Sequence, residues 1–96
     1  MTPPKTVLIR SRDAGVHYGQ LTHHDGNTVT LHNARRVWYW AGAATLSQLS
    51  QEGTSRPQDC KFPMPVPTIT ILGVCEIIPM TPKAITSLNA VPVWSA

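Results

Sequence analysis

The sequence predicts a small α+β domain, dominated by a mostly antiparallel sheet and carrying two short helices. Three observations lead there. Apolar or β-branched runs of strand length recur along the chain. Two Thr residues stand where helix N-caps belong, and a proline-rich stretch separates the two halves. With 96 residues there is one domain, spanning 1–96, with room for a single modest core. Residues 1–5 form a proline-containing lead-in and residues 54–67 a proline-rich loop.

Thr6 to Ser11 (TVLIRS) reads as a first strand, followed by a turn in which Asp13 and Gly15 supply the chemistry. Val16–His24 and Thr28–Asn33 form a hairpin around HDGN. A three-residue Asp25-Gly26-Asn27 loop would pair Leu21 with Leu31 and Thr22 with Thr30, keeping each face uniform. Arg35–Trp40 continues as a strand. Thr45 then caps a short helix, with Gln48 three residues on and Gly53 as its stop, and Leu46 and Leu49 on its inward stripe. The prolines of TSRPQDCKFPMPVP exclude central sheet or helix there, and Phe62 and Met64 are expected to pin that loop to the core. Thr68–Pro79 is β-branched and mostly apolar, which predicts a central strand. Thr81-Pro82 opens a second helix to about Leu88, and VPVWSA closes the chain in extended form.

Composition narrows function by exclusion. A net charge of +3 suits an anionic small ligand better than nonspecific nucleic-acid binding, which needs denser Lys and Arg; no nucleic acid is expected as a partner. No apolar stretch is long and uninterrupted enough to span a membrane, and the N-terminal residues lack a signal-peptide pattern. The low charged fraction of 14% and the small size point to a homo-oligomer. Two cysteines are too few for a disulfide framework; Cys75, in an apolar run, is expected buried and Cys60 exposed. The five carboxylates include no closely spaced pair, Ser11 and Ser47 lack a nucleophile context, and the four histidines have no metal-ligand spacing. The chain therefore reads as a protein without catalytic residues, metal or cofactor. Glu76, the odd acid of its strand, is expected to face solvent or to pair with an arginine such as Arg36.

The stretch NARRVWYWAG carries three of the chain's six aromatics beside two arginines. Strand alternation puts Arg36, Trp38 and Trp40 on one face and Arg35, Val37 and Tyr39 on the other. Either one face is core and the other ordinary packed aromatics, or the segment binds a ligand. In the second case guanidinium groups hold phosphate and an aromatic face stacks a flat ring. Arg10, Arg12, Asp13 and His17, concentrated in RSRDAGVH, would complete the rim; the alternative for Asp13 is to cap its own turn.

The segments RSRDAGVHYGQL, NARRVWYWAGAATLSQLSQEG and VCEIIPMTPKA together resemble a family of small uncharacterised proteins of tailed phages and prophages, over about Val7 to Trp94. The resemblance implies a phage or prophage origin and residence in the host bacterial cytoplasm, and it brings no reaction. By analogy of chemistry, arginine-aromatic pockets are similar to those of phage sponges that sequester nucleotide immune signals. The sequence thus leads to a non-enzymatic binding protein that counters host defence by capturing a nucleotide-derived ligand. The alternatives are a virion structural or assembly protein and a direct inhibitor of a host protein, since Trp, Tyr and Arg also dominate protein interfaces.

Overall fold

The computed structural model describes residues 5–95; residues 1–4 of the lead-in and residue 96 of the closing segment lie outside the described residues. Five strands, β1 (Thr6–Ser11), β2 (Gly15–Asp25), β3 (Thr28–Arg36), β4 (Val66–Ile71) and β5 (Val74–Pro79), form one antiparallel sheet in the order β4-β3-β2-β1-β5. Two helices, α1 (Leu46–Glu52) and α2 (Pro82–Asn89), and one turn of 3-10 helix at Pro57–Asp59 complete the domain. This is the small sheet-dominated α+β fold expected from the sequence.

The order of strands imposes a shape. β4 and β5 are the two outer strands, four strand spacings apart, which in a flat sheet is about 19 Å. Yet only Leu72 and Gly73 separate them, and three Cα steps from Ile71 to Val74 reach at most about 11 Å. The sheet must roll until its edges approach. Two hydrogen bonds stitch that approach: Ser11 Oγ donates to the Leu72 carbonyl at 2.8 Å, and Val74 N–H donates to the Asn27 carbonyl at 2.8 Å. Rolling requires bends, supplied by register shifts in β2 between Tyr18 and Gln20 and between Leu21 and His23. At Gly19 a Cβ would lie 3.0 Å from the Ala34 Cα, so the first bend brings β2 and β3 together too closely for a side chain.

This corrects the reading of Thr68–Pro79 as one central strand. Gly73, at φ +68°, breaks the run into two strands that lie at opposite edges, and β2 is the central strand. Their apolar composition reflects the rolled sheet's interior, where Val7, Ile9, Val29, Leu31, Ala34, Ile71 and Val74 meet. The outer face is buried as well. Leu8 and Tyr18 pack there with Phe62 of the proline-rich loop, Leu49 of α1, and Ala84 and Leu88 of α2. β1 therefore reads as an unbroken apolar run, Val7-Leu8-Ile9, because both of its faces are covered.

The hairpin keeps the expected Leu21–Leu31 pair, but its turn is the two residues Gly26 and Asn27, since Asp25 pairs with Thr28. The extra residue sits at the second bend instead: His23 pairs with Thr30, and Thr22 Oγ1 donates to the Thr30 carbonyl at 3.2 Å. Both N-caps are as expected, with Thr45 and Thr81 hydroxyls accepting from Gln48 N and Ala84 N. The cysteines are reversed. Cys60 is buried and accepts from Ala41 N, whereas Cys75 stands exposed on edge strand β5. Phe62 is wholly buried, but Met64, also expected to pin the loop, is exposed.

Arg35 holds these layers together. It is 6% exposed, and its guanidinium donates to the carbonyls of Pro63 (3.0 Å), Phe62 (3.2 Å) and Leu88 (3.3 Å), the last at the C-terminal end of α2. It also lies 5.3 Å from the Phe62 ring centroid. The Phe62 and Leu88 carbonyls also accept from Trp94 N and Val91 N, so removing Arg35 breaks three charge-assisted hydrogen bonds and leaves the Pro63 carbonyl without its side-chain donor; Arg35→Met should lower stability by about 3 kcal/mol in urea unfolding. An unchanged midpoint would show that those bonds are not part of the fold's support.

Candidate functional site

β2 and β3 bring His17 and Arg36 opposite one another, and opposed residues in an antiparallel ladder share a face. His17 is also opposite Ile9 of β1, so its ring points into the interior of the rolled sheet. The ring is 1% exposed, and neither ring nitrogen has a hydrogen-bond partner among the described residues. Each buried imidazole nitrogen left without a partner costs about 1–3 kcal/mol. The Arg36 side chain, in contrast, stands exposed at the mouth, with a single long contact among the described residues, from Nη1 to the Ala14 carbonyl at 3.4 Å.

Two cavities open on this pair. The larger, about 420 Å³, is lined by Asp13 and Ala14 of the β1–β2 turn, by His17 and Arg36, and by Ile69 to Gly73. The smaller, about 220 Å³, is lined by His17, Ala34, Arg36, Pro63, Met64, Val66 and Ile69. His17, Arg36 and Ile69 belong to both, so the cavities form one groove along β4 with the imidazole in its wall. The groove exists because the sheet rolls without closing: β4 is bonded to β3 along one side only, and its other side faces the β1–β2 turn. Its chemistry is an apolar wall, one cation, one carboxylate and a neutral imidazole. That set suits a ligand with an anionic group, a hydroxyl or N–H donor, and a flat apolar body.

Burial, reinforced by the positive charge of Arg36, lowers the His17 pKa from 6.5 to about 4. The ring is therefore neutral at pH 7, with one donor and one acceptor nitrogen to offer.

Of the residues expected to bind ligand, the structure brings Asp13, His17 and Arg36 together. Arg35 is corrected: its guanidinium is committed to backbone carbonyls inside the protein, so it has no reach to a phosphate. Arg10 forms an ion pair with Glu76 at 3.5 Å across β1 and β5, which also answers the question of the partner of Glu76. Arg12 is exposed in the turn but does not line either cavity. Strand alternation ends with β3 at Arg36, and Trp38, Tyr39 and Trp40 do not line the groove. Trp40 packs, half-buried, on the outer core. Trp38 stacks on Trp94 with centroids 5.1 Å apart, and Lys61 Nζ lies 5.6 Å and 5.5 Å from their two rings. Tyr39 is exposed beside them, joined to Lys61 through backbone hydrogen bonds of 3.2 and 2.8 Å.

Sequence reasoning missed the wall residues Ile69, Ile71 and Leu72, since apolar strand residues carry no sign that they border a groove. Among the described residues no helix is long and apolar enough to cross a membrane.

A depressed histidine pKa makes stability depend on pH in a definite direction. The unfolded chain, with an ordinary imidazole near 6.5, takes up the proton before the folded one does. Stability present above pH 6.5 is lost as pH falls to about 4, by roughly 3 kcal/mol in total. His17→Leu should flatten this loss, and at pH 7 its melting temperature should equal or exceed that of the unmodified protein. Thermal melts from pH 7 to pH 4 provide the check, and an unaltered slope in the variant would refute the assignment.

A family model described as a domain of unknown function, DUF6948, matches residues 4–88. No curated protein and no solved structure matches the chain.

Proposed function

The chain belongs to the DUF6948 family, a domain of unknown function, and from its groove we propose that it is a non-enzymatic binding protein for a nucleotide-derived anion. The observation that carries this reading is His17: a buried imidazole, both nitrogens without partners among the described residues, in the wall of a groove with an exposed arginine at its mouth that spends one donor on the Ala14 carbonyl. Such a site is costly to the apo fold and is relieved by a ligand that reaches it. Arg36 takes phosphate oxygens, Asp13 accepts from a sugar hydroxyl or a ring N–H, and the Ile69–Leu72 wall covers the base. Asp13 is the groove's one carboxylate among the described residues, an arrangement suited to holding a ligand rather than turning it over.

The likeness of its segments to tailed-phage and prophage proteins supplies the setting. The chain, made in the host cytoplasm, sequesters a nucleotide signal of host defence.

A second reading rests on the aromatic surface. Trp38, Tyr39, Val93 and Trp94 are all exposed large apolar side chains, and segments 39, 61–62 and 93–94 are bridged by backbone pairing. Such a preorganised patch suits a protein partner: another copy, a host protein or a virion component.

Small molecules released by heating the purified protein should include a nucleotide by absorbance and mass. Titration with AMP should show Arg36→Ala weakening binding by tenfold or more, corresponding to about 1.5–3 kcal/mol for a charge-assisted contact. Its melting temperature should stay within a few degrees, since the side chain is exposed. A folded protein that releases no nucleotide and binds none would sink the proposal; a concentration-dependent sedimentation coefficient would then favour the aromatic interface.

A further inference from the structure

The two cavities are unlike, and the difference reads out a ligand shape. Both open on Arg36 and His17, one on either side along β4. The larger has a polar reader, Asp13, beside its apolar wall. The smaller, about half that volume, has Ala34, Pro63, Met64, Val66 and Ile69, and its polar groups are the shared His17 and Arg36. Arg36 thus stands at the junction rather than at an end. Its guanidinium has five N–H donors, of which the contact to the Ala14 carbonyl uses one.

We infer that the ligand has two unlike lobes joined by an anionic linker, as in an asymmetric dinucleotide, with the linker held by Arg36 at the junction of the cavities. This rests on the binding reading above and narrows it. The lobe richer in donors lies in the larger cavity, where Asp13 accepts its hydroxyl or N–H groups. The second lobe carries a compact uncharged ring, because Arg36, the smaller cavity's charged side chain among the described residues, is engaged by the linker, and a further charge there would lose its hydration unpaired. His17, between the lobes, offers one donor and one acceptor to the groups flanking the linker. Orthophosphate would engage the arginine and fill neither cavity; a mononucleotide would fill one.

Titration calorimetry with orthophosphate, AMP and NADH tests this on the intact protein. NADH carries two unlike lobes, an adenosine and a neutral dihydronicotinamide riboside, on a pyrophosphate linker. NADH should bind at least tenfold more tightly than AMP, and AMP more tightly than orthophosphate. Val66→Phe, which occupies the smaller cavity, should reduce NADH to the affinity of AMP and leave AMP unchanged. Met64→Trp narrows the same cavity from an exposed position, 69% accessible, and should act likewise if Val66→Phe perturbs the fold. Equal affinities for AMP and NADH overturn the two-lobed ligand and leave the nucleotide site standing, as does an NADH advantage that survives both substitutions. Absence of binding by all three probes to folded protein overturns the two-lobed ligand and the nucleotide reading together.

Discussion

A two-residue link between strands at opposite edges of a five-stranded sheet governs this molecule. Leu72 and Gly73 are too short a tether for a flat sheet, so the strands roll, and rolling gives the sheet an inside and an outside that both need burying. The inside is filled by Val7, Ile9, Leu31 and their neighbours; the outside is covered by α1, α2 and Phe62. A sheet rolled this way but not closed leaves a slot between β4 and the β1–β2 turn. The groove around His17 is that slot.

The arginine pair illustrates how one step along a strand decides chemistry. Arg35 and Arg36 are adjacent, so their side chains leave opposite faces of β3. Arg35 goes outward beneath α2, where among the described residues no carboxylate pairs with it but three backbone carbonyls accept from it, one at the helix's negative end. There it serves the fold. Burial raises the pKa of the neighbouring Tyr18 phenol, and Arg35 opposes that shift, so the two groups share one polar enclave in an otherwise apolar layer. Tyr18 completes it by donating to Asn89 Oδ1 at 3.1 Å. Arg36 goes inward at the mouth, meets the unpartnered imidazole, and keeps most of its donors available.

The groove and the aromatic surface flank the same loop. Pro63 and Met64 line the smaller cavity, while Lys61, one residue before Phe62, sits over the Trp38–Trp94 pair. Phe62, fully buried and stacked near Arg35, fixes the loop between them.

Local structure was legible along the chain: the N-caps Thr45 and Thr81, the start of β1, the Leu21–Leu31 pairing, and a sheet-dominated α+β class. These depend on periodicity and on contacts a few residues apart, which a linear pattern records. The sequence also singled out Asp13, His17 and Arg36 among its site candidates, because charged residues and histidine near a turn stand out by type. Three features emerge only once the chain is folded: Arg35 is a structural bolt, Cys60 is inside and Cys75 outside, and Thr68–Pro79 belongs to two edge strands rather than one central strand. The physical reason is that burial depends on which surfaces the rolled sheet covers, and the rolling follows from placing two consecutive strands, β4 and β5, at opposite edges of the sheet, a placement that no pattern along the chain records.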